Sequence, residues 1–97
     1  MAICAIFEFP GVTREQYDEV TQEMNNGQPL QSLSEWPVPG VLSHVAGSTP
    51  DGWYVVDVWA SEEAFQRFSQ VLAPTLEKTG FPRVEPRVFP VHNLVTQ

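Results

Sequence analysis

The chain opens on a run that is apolar in both alternating registers. From Ala2 to Phe9, the residues Ile3, Ala5, Phe7 and Phe9 fall on one side and Cys4 and Ile6 on the other, before Pro10-Gly11 ends the run. A strand is expected here, and one apolar on both faces must be covered on both. The period then changes from two to 3.6. Thr13 with Gln16 three residues on has the form of a capping box, and Tyr17, Val20 and Met24 mark one face of a helix. Asn25-Asn26-Gly27 supplies residues that tolerate left-handed backbone to end it.

Periodicity disappears from Gly27 to about Pro39, where Pro29, Pro37 and Pro39 interrupt the backbone. This connection exceeds the usual ~4–6 residues. Leu30, Leu33 and Trp36 favour an ordered flap over something apolar, with a short helical turn around Leu30–Leu33. Gly40 to Gly47 suits a second strand and Trp53 to Ala60 a third. Between them, Thr49-Pro50-Asp51-Gly52 suits a type I turn with a G1 bulge, hence an antiparallel hairpin. Ser61 caps a second helix, with Glu62 and Glu63 in its first turn and Phe65, Phe68, Leu72 and Leu76 along one face. Pro74 is expected to kink or restart that helix, and Lys78 and Gly80 to close it. Val84 to Val95 completes the set as a fourth strand, placed at a sheet edge by Pro86 and Pro90.

The order β-α-β-β-α-β predicts an α+β fold, the ferredoxin-like split βαβ unit, as one domain over residues 1–97. It is a four-stranded antiparallel sheet with two helices on one face. Two helices cover only that face, and the other is apolar as well. A second copy meeting it face to face, as a homodimer, is the simplest cover.

Charge narrows the partners. Five basic residues stand against twelve acidic ones, a net charge of −7. No basic patch exists to displace phosphate counterions, so no nucleic acid is expected, and an anionic membrane surface would repel the chain. The single cysteine, Cys4, has no partner for a disulfide, and two histidines at scattered positions lack metal-ligand spacing, so no metal is expected. The N-terminus has no basic n-region and no stretch reaches the ~20 apolar residues of a membrane span, so a cytoplasmic location is expected.

Asp57 is the most informative candidate. Alternation places it on one face with Trp53, Val55 and Trp59, and a carboxylate among tryptophans loses hydration, which raises its pKa toward an acid–base range. An arginine or backbone donors paired with Asp57 would be the structural alternative. The expected turn sets Val45 opposite Asp57 and puts His44 on the other face with Tyr54, Val56 and Val58, as an interface histidine. A one-residue slip would bring His44 beside Asp57. His92, on the proline-bearing edge strand, is a surface or dimer-contact residue or else a general base. Tyr17 either donates a hydroxyl into the pocket or packs in the core, and Trp36 is a lid aromatic or an anchor. No P-loop, GxGxxG or GxSxG is present, so no cofactor is expected.

The segment Gly52-Trp53-Tyr54-Val55-Val56-Asp57-Val58-Trp59-Ala60-Ser61-Glu62-Glu63-Ala64-Phe65 resembles the central strand-to-helix segment of the dimeric α+β barrel superfamily. It is most similar to antibiotic biosynthesis monooxygenase-like domains. Asp57, Trp59 and Ser61-Glu62-Glu63 match that pattern. The resemblance implies a homodimer forming a dimeric α+β barrel, with a pocket between sheet and helices in each subunit. Members oxidise aromatic polyketides without metal or flavin, degrade haem, or isomerise or cyclise small molecules; some have no known activity. One position departs: Phe68 stands where many members carry a histidine, and the Trp and His spacing of haem-handling members is absent.

The leading expectation is a cofactor-independent enzyme, a monooxygenase or an isomerase/cyclase, acting on a small hydrophobic molecule of aromatic or polyketide-like type. Asp57 would move the proton with His44 or His92 assisting, and Tyr17, Trp36, Trp53, Trp59, Phe65 and Phe68 would shape the pocket. The rival is a non-catalytic dimeric small-molecule-binding or accessory protein.

Overall fold

Capping chemistry sets where both helices begin. The computed structural model describes all 97 residues. Thr13 Oγ1 accepts from the Gln16 N–H at 3.2 Å while Gln16 Oε1 accepts from the Thr13 N–H at 2.8 Å, and α1 runs over Arg14–Met24. Asn26 and Gly27, at φ 54 and 87, then turn the chain out of the helix. Ser61 Oγ accepts from the Ala64 N–H at 3.1 Å, and α2 runs over Glu62–Thr79 to a left-handed Gly80.

Pro74 lies inside α2, which continues through it without the expected restart. Its missing N–H removes one helical bond. Phe68 and Leu72 before it and Leu76 after it pack into the core, which keeps both halves of the helix against the sheet.

The strands are β1 (Ile3–Pro10), β2 (Val41–Thr49), β3 (Gly52–Trp59) and β4 (Arg87–Pro90), in the order β2-β3-β1-β4. All neighbours are antiparallel. With α1 and α2 between them, this is a βαββαβ arrangement compatible with a ferredoxin-like unit. β4 is an edge strand as the prolines imply, but it is only four residues long against an expected span of 84–95. Pro86 precedes it and Pro90 ends it, because neither can donate to a ladder. No helix is long and apolar enough to cross a membrane.

The hairpin register differs from expectation by one residue, and much follows from it. Thr49 pairs with Gly52, which leaves a two-residue loop of Pro50-Asp51. Neither Asp51 nor Gly52 has positive φ, so the G1 bulge does not form. Gly52 is needed there for another reason: a Cβ would collide with the Phe9 carbonyl and come within 2.7 Å of the Gly11 nitrogen. The bulge lies instead at the far end, at Leu42 between Val41 and Ser43. It restores parity, so Val41 and His44 both face the helices across from Trp59 and Asp57.

The helix-facing side chains form two clusters. One contains Ile3, Val38, Val41, Trp59, Ala64 and Phe68; the other contains Phe9, Val12, Val20, Val55 and Phe81. Gly40, at φ 112, closes the first, because a Cβ there would meet Ala64 Cβ at 2.7 Å. The opposite sheet face carries Cys4, Ile6, Val56 and Phe89, and Val45 beside them is half exposed at 51%.

Candidate functional site

A cavity of about 230 Å³ lies between the two clusters. Its floor comes from Phe7, Val55, His44 and Asp57 on the sheet, and its walls include Tyr17 and Met24 of α1 and Phe65, Phe68 and Leu72 of α2. Leu30 and Trp36 of the long connection close one side, and residues of the 81–86 loop close another. Most of the lining is apolar, with a few convergent polar groups, as small-molecule sites are built.

Those polar groups form a chain. His44 Nδ1 lies 2.5 Å from Asp57 Oδ1, and His44 Nε2 lies 2.6 Å from the Tyr17 hydroxyl. A carboxylate only accepts, so Nδ1–H donates to Asp57. With the ring in its neutral form, Nε2 is then the acceptor for the Tyr17 O–H. Asp57 is 3% exposed, and a buried carboxylate needs such a partner. The slip in the hairpin brings the two together: the expected register would have separated His44 from Asp57 by the thickness of the sheet. Neither an arginine nor the backbone holds Asp57.

Aromatic rings fix the imidazole. Trp36 meets His44 edge-on at 4.8 Å, and Tyr17 lies parallel to it at 6.1 Å while resting on Trp53 at 5.2 Å. Burial, and after it the negative charge of Asp57 and then of Asp18, pushes the Tyr17 pKa up to about 12. At neutral pH Tyr17 is therefore a protonated donor.

The connection that carries Trp36 is pinned by its own carboxylate. A 3₁₀ turn at Leu33–Glu35, slightly later than expected, is capped by Ser32. Glu35 accepts from the Gln31 and Ser32 N–H groups at 2.7 and 2.9 Å and from Asn25 Nδ2 at 3.4 Å. The Gln31 N–H leads the set of donors that hold Glu35 below the usual carboxylate range.

Six of the nine expected site residues line the cavity: Tyr17, Trp36, His44, Asp57, Phe65 and Phe68. Three do not. Trp59 is fully buried in the first cluster against Phe68 at 4.9 Å, so it supports the wall from behind. Trp53 lies beneath Tyr17, and its indole N–H, like that of Trp59, has no hydrogen-bond partner. His92 is exposed beyond the end of β4, because the strand stops at Pro90. Arg83 lines the cavity and was not foreseen: it sits in an aperiodic loop, where no pattern gives direction. Phe7 was legible as a wall residue from its alternation with Ala5 and Phe9. No group of three or more His, Cys, Asp or Glu side chains is gathered for a metal ion.

No protein-family model matches the chain, and no curated protein and no solved structure matches it.

Proposed function

We propose that this chain is a cofactor-independent acid–base enzyme, an isomerase or cyclase or else a monooxygenase, acting on a small hydrophobic, aromatic or polyketide-like molecule. The Tyr17–His44–Asp57 chain at the floor of an apolar cavity carries this reading. His44 Nε2 is the base: it takes a proton from a carbon beside a carbonyl or from an acidic hydroxyl. Asp57 is the positioning residue that sets the ring tautomer and balances the imidazolium. Tyr17 turns its O–H from His44 to the oxygen where negative charge develops. Returning the proton to another atom completes an isomerisation or ring closure. Oxygenation would need dioxygen as co-substrate: it takes one electron from the substrate anion, the two radicals join and take up a proton as a hydroperoxide, and loss of water leaves one oxygen on the substrate carbon as a carbonyl.

The assembly proposed is a homodimer through the open sheet face, the dimeric α+β barrel implied by the resemblance of residues 52–65 to antibiotic biosynthesis monooxygenase-like domains. The apolar surface of Cys4, Ile6, Val45, Val56 and Phe89 supports it.

One observation favours the alternative of a non-catalytic binding protein: the Nε2 lone pair is already occupied by Tyr17. Exchange chemistry separates the two readings. In D₂O the enzyme is expected to catalyse deuteration of a bicyclic ketone, 2-tetralone, beside its carbonyl, read by NMR. His44→Gln should slow exchange about 10²–10⁴-fold. Tight binding of the ketone with no enhanced exchange would leave the binding protein standing.

A further inference from the structure

We propose that the ligand of this cavity carries a carboxylate at one end, received by Arg83; the inference rests on the cavity being a ligand site, as above. Two charged side chains line the cavity, Asp57 and Arg83. Asp57 is already engaged by His44. Arg83 takes part in none of the ion pairs, which join Arg14 to Asp18, His44 to Asp57 and Lys78 to Glu23, and in no side-chain hydrogen bond. Arg67 and Arg87 likewise take part in no ion pair, but neither lines the cavity, so Arg83 is the one basic side chain placed to meet a ligand there. Even Glu85, two residues away, lines no part of the cavity and leaves Arg83 free.

The loop around Arg83 is held in place. Phe81 is buried edge-to-face on Phe9 at 5.1 Å, Val84 packs against the same cluster, and Pro82 and Pro86 restrict the backbone between. A planar guanidinium matches a carboxylate in bidentate fashion. A dianionic phosphate would bring a second negative charge into a lining that offers one free cation.

Position defines the ligand further. His44 lies on the edge strand β2, while the Arg83 loop packs on β1 and leads into β4 at the other edge. At ~4.8 Å per strand, the two to three spacings from β2 to β1 and β4 put the backbones that carry these groups about 10–14 Å apart across the sheet. The ligand class is therefore an elongated apolar acid, with its ionised end at Arg83 and its reacting end at His44.

The probes are 6-hydroxy-2-naphthoate and its methyl ester, titrated into the protein by calorimetry at neutral pH. The acid should bind about fivefold tighter than the ester, a size set by the water-exposed rim. Arg83→Gln should remove that preference without weakening ester binding, Arg83→Lys should keep part of it, and high salt should narrow it. His44→Gln should leave the preference intact. Equal binding of acid and ester, or a preference that survives Arg83→Gln, overturns the role of Arg83 while the cavity stands. Binding of neither probe overturns the ligand site itself.

Discussion

His44 and Asp57 face each other as cross-strand partners on β2 and β3, with Nδ1 and Oδ1 2.5 Å apart and the carboxylate almost sealed from water. Each side chain makes the burial of the other tolerable. His44→Leu leaves Asp57 as an unpaired buried charge and should cost about 3–5 kcal/mol in urea unfolding. The double variant with Asp57→Leu should recover most of that loss, because an apolar pair satisfies the site. If the two substitutions simply add, the residues are not energetically coupled.

Tyr17 reports the same charge from the other side of the ring. Its folded-state pKa of about 12 stands above the ordinary 10.0, so up to pH 10 both folded and unfolded chains hold the proton and stability is unaffected. Between those values only the unfolded chain ionises, and stability falls as pH rises. Ultraviolet titration should show a tyrosinate forming near pH 12 that is absent in Tyr17→Phe. Asp57→Asn should bring that titration down by removing the negative neighbour, and an unmoved titration would show that Asp57 does not act on the phenol.

These relationships were only partly visible in the sequence. Caps wrote themselves plainly, since Thr13, Gln16 and Ser61 act within four residues of their partners. Asp57 stood out because a carboxylate breaks an apolar alternation. The pairing with His44 did not, because it depends on whether Gly52 adopts positive φ, which the local turn residues leave open at a position crowded by Phe9 and Gly11 from about forty residues earlier in the chain. The depth of Trp59 is hidden for a similar reason: alternation fixes a side chain's face of the sheet, while its depth depends on Gly40, Ala64 and Phe68 packing around it. Arg83 lies in a loop, where side-chain direction has no period to follow.

Glu35 should make the flap sensitive to acid. Its folded pKa is lowered, so its contribution is present above the usual carboxylate range and is lost as pH falls through the lowered value. Protonation weakens its hold on the Gln31 and Ser32 N–H groups, and Trp36 should then leave its edge-on contact with His44. Indole fluorescence should change reversibly at acid pH, below the point where ordinary carboxylates titrate. Glu35→Gln should remove that transition while Trp36→Phe removes its signal. A transition that persists in Glu35→Gln would place the sensitivity elsewhere.

The open sheet face provides the remaining test. Val45 and Val56 are cross-strand partners on it, and half-exposed Val45 on one edge strand is matched by half-exposed Phe89 on the other, three strands away. Two such faces stack at about 10 Å, a distance at which valine and phenylalanine interdigitate but a carboxylate finds no water. Sedimentation at micromolar concentration should give a dimer for the wild type and a monomer for Val45→Glu or Val56→Glu, since each copy would bury a charge without a partner. The cavity lies on the helix side of the same sheet, so ligand binding by these monomers should survive if one subunit suffices to build the site. Loss of binding together with dimerisation would mean that the sheet holds its curvature, and with it the His44–Asp57 contact, only when its second face is covered.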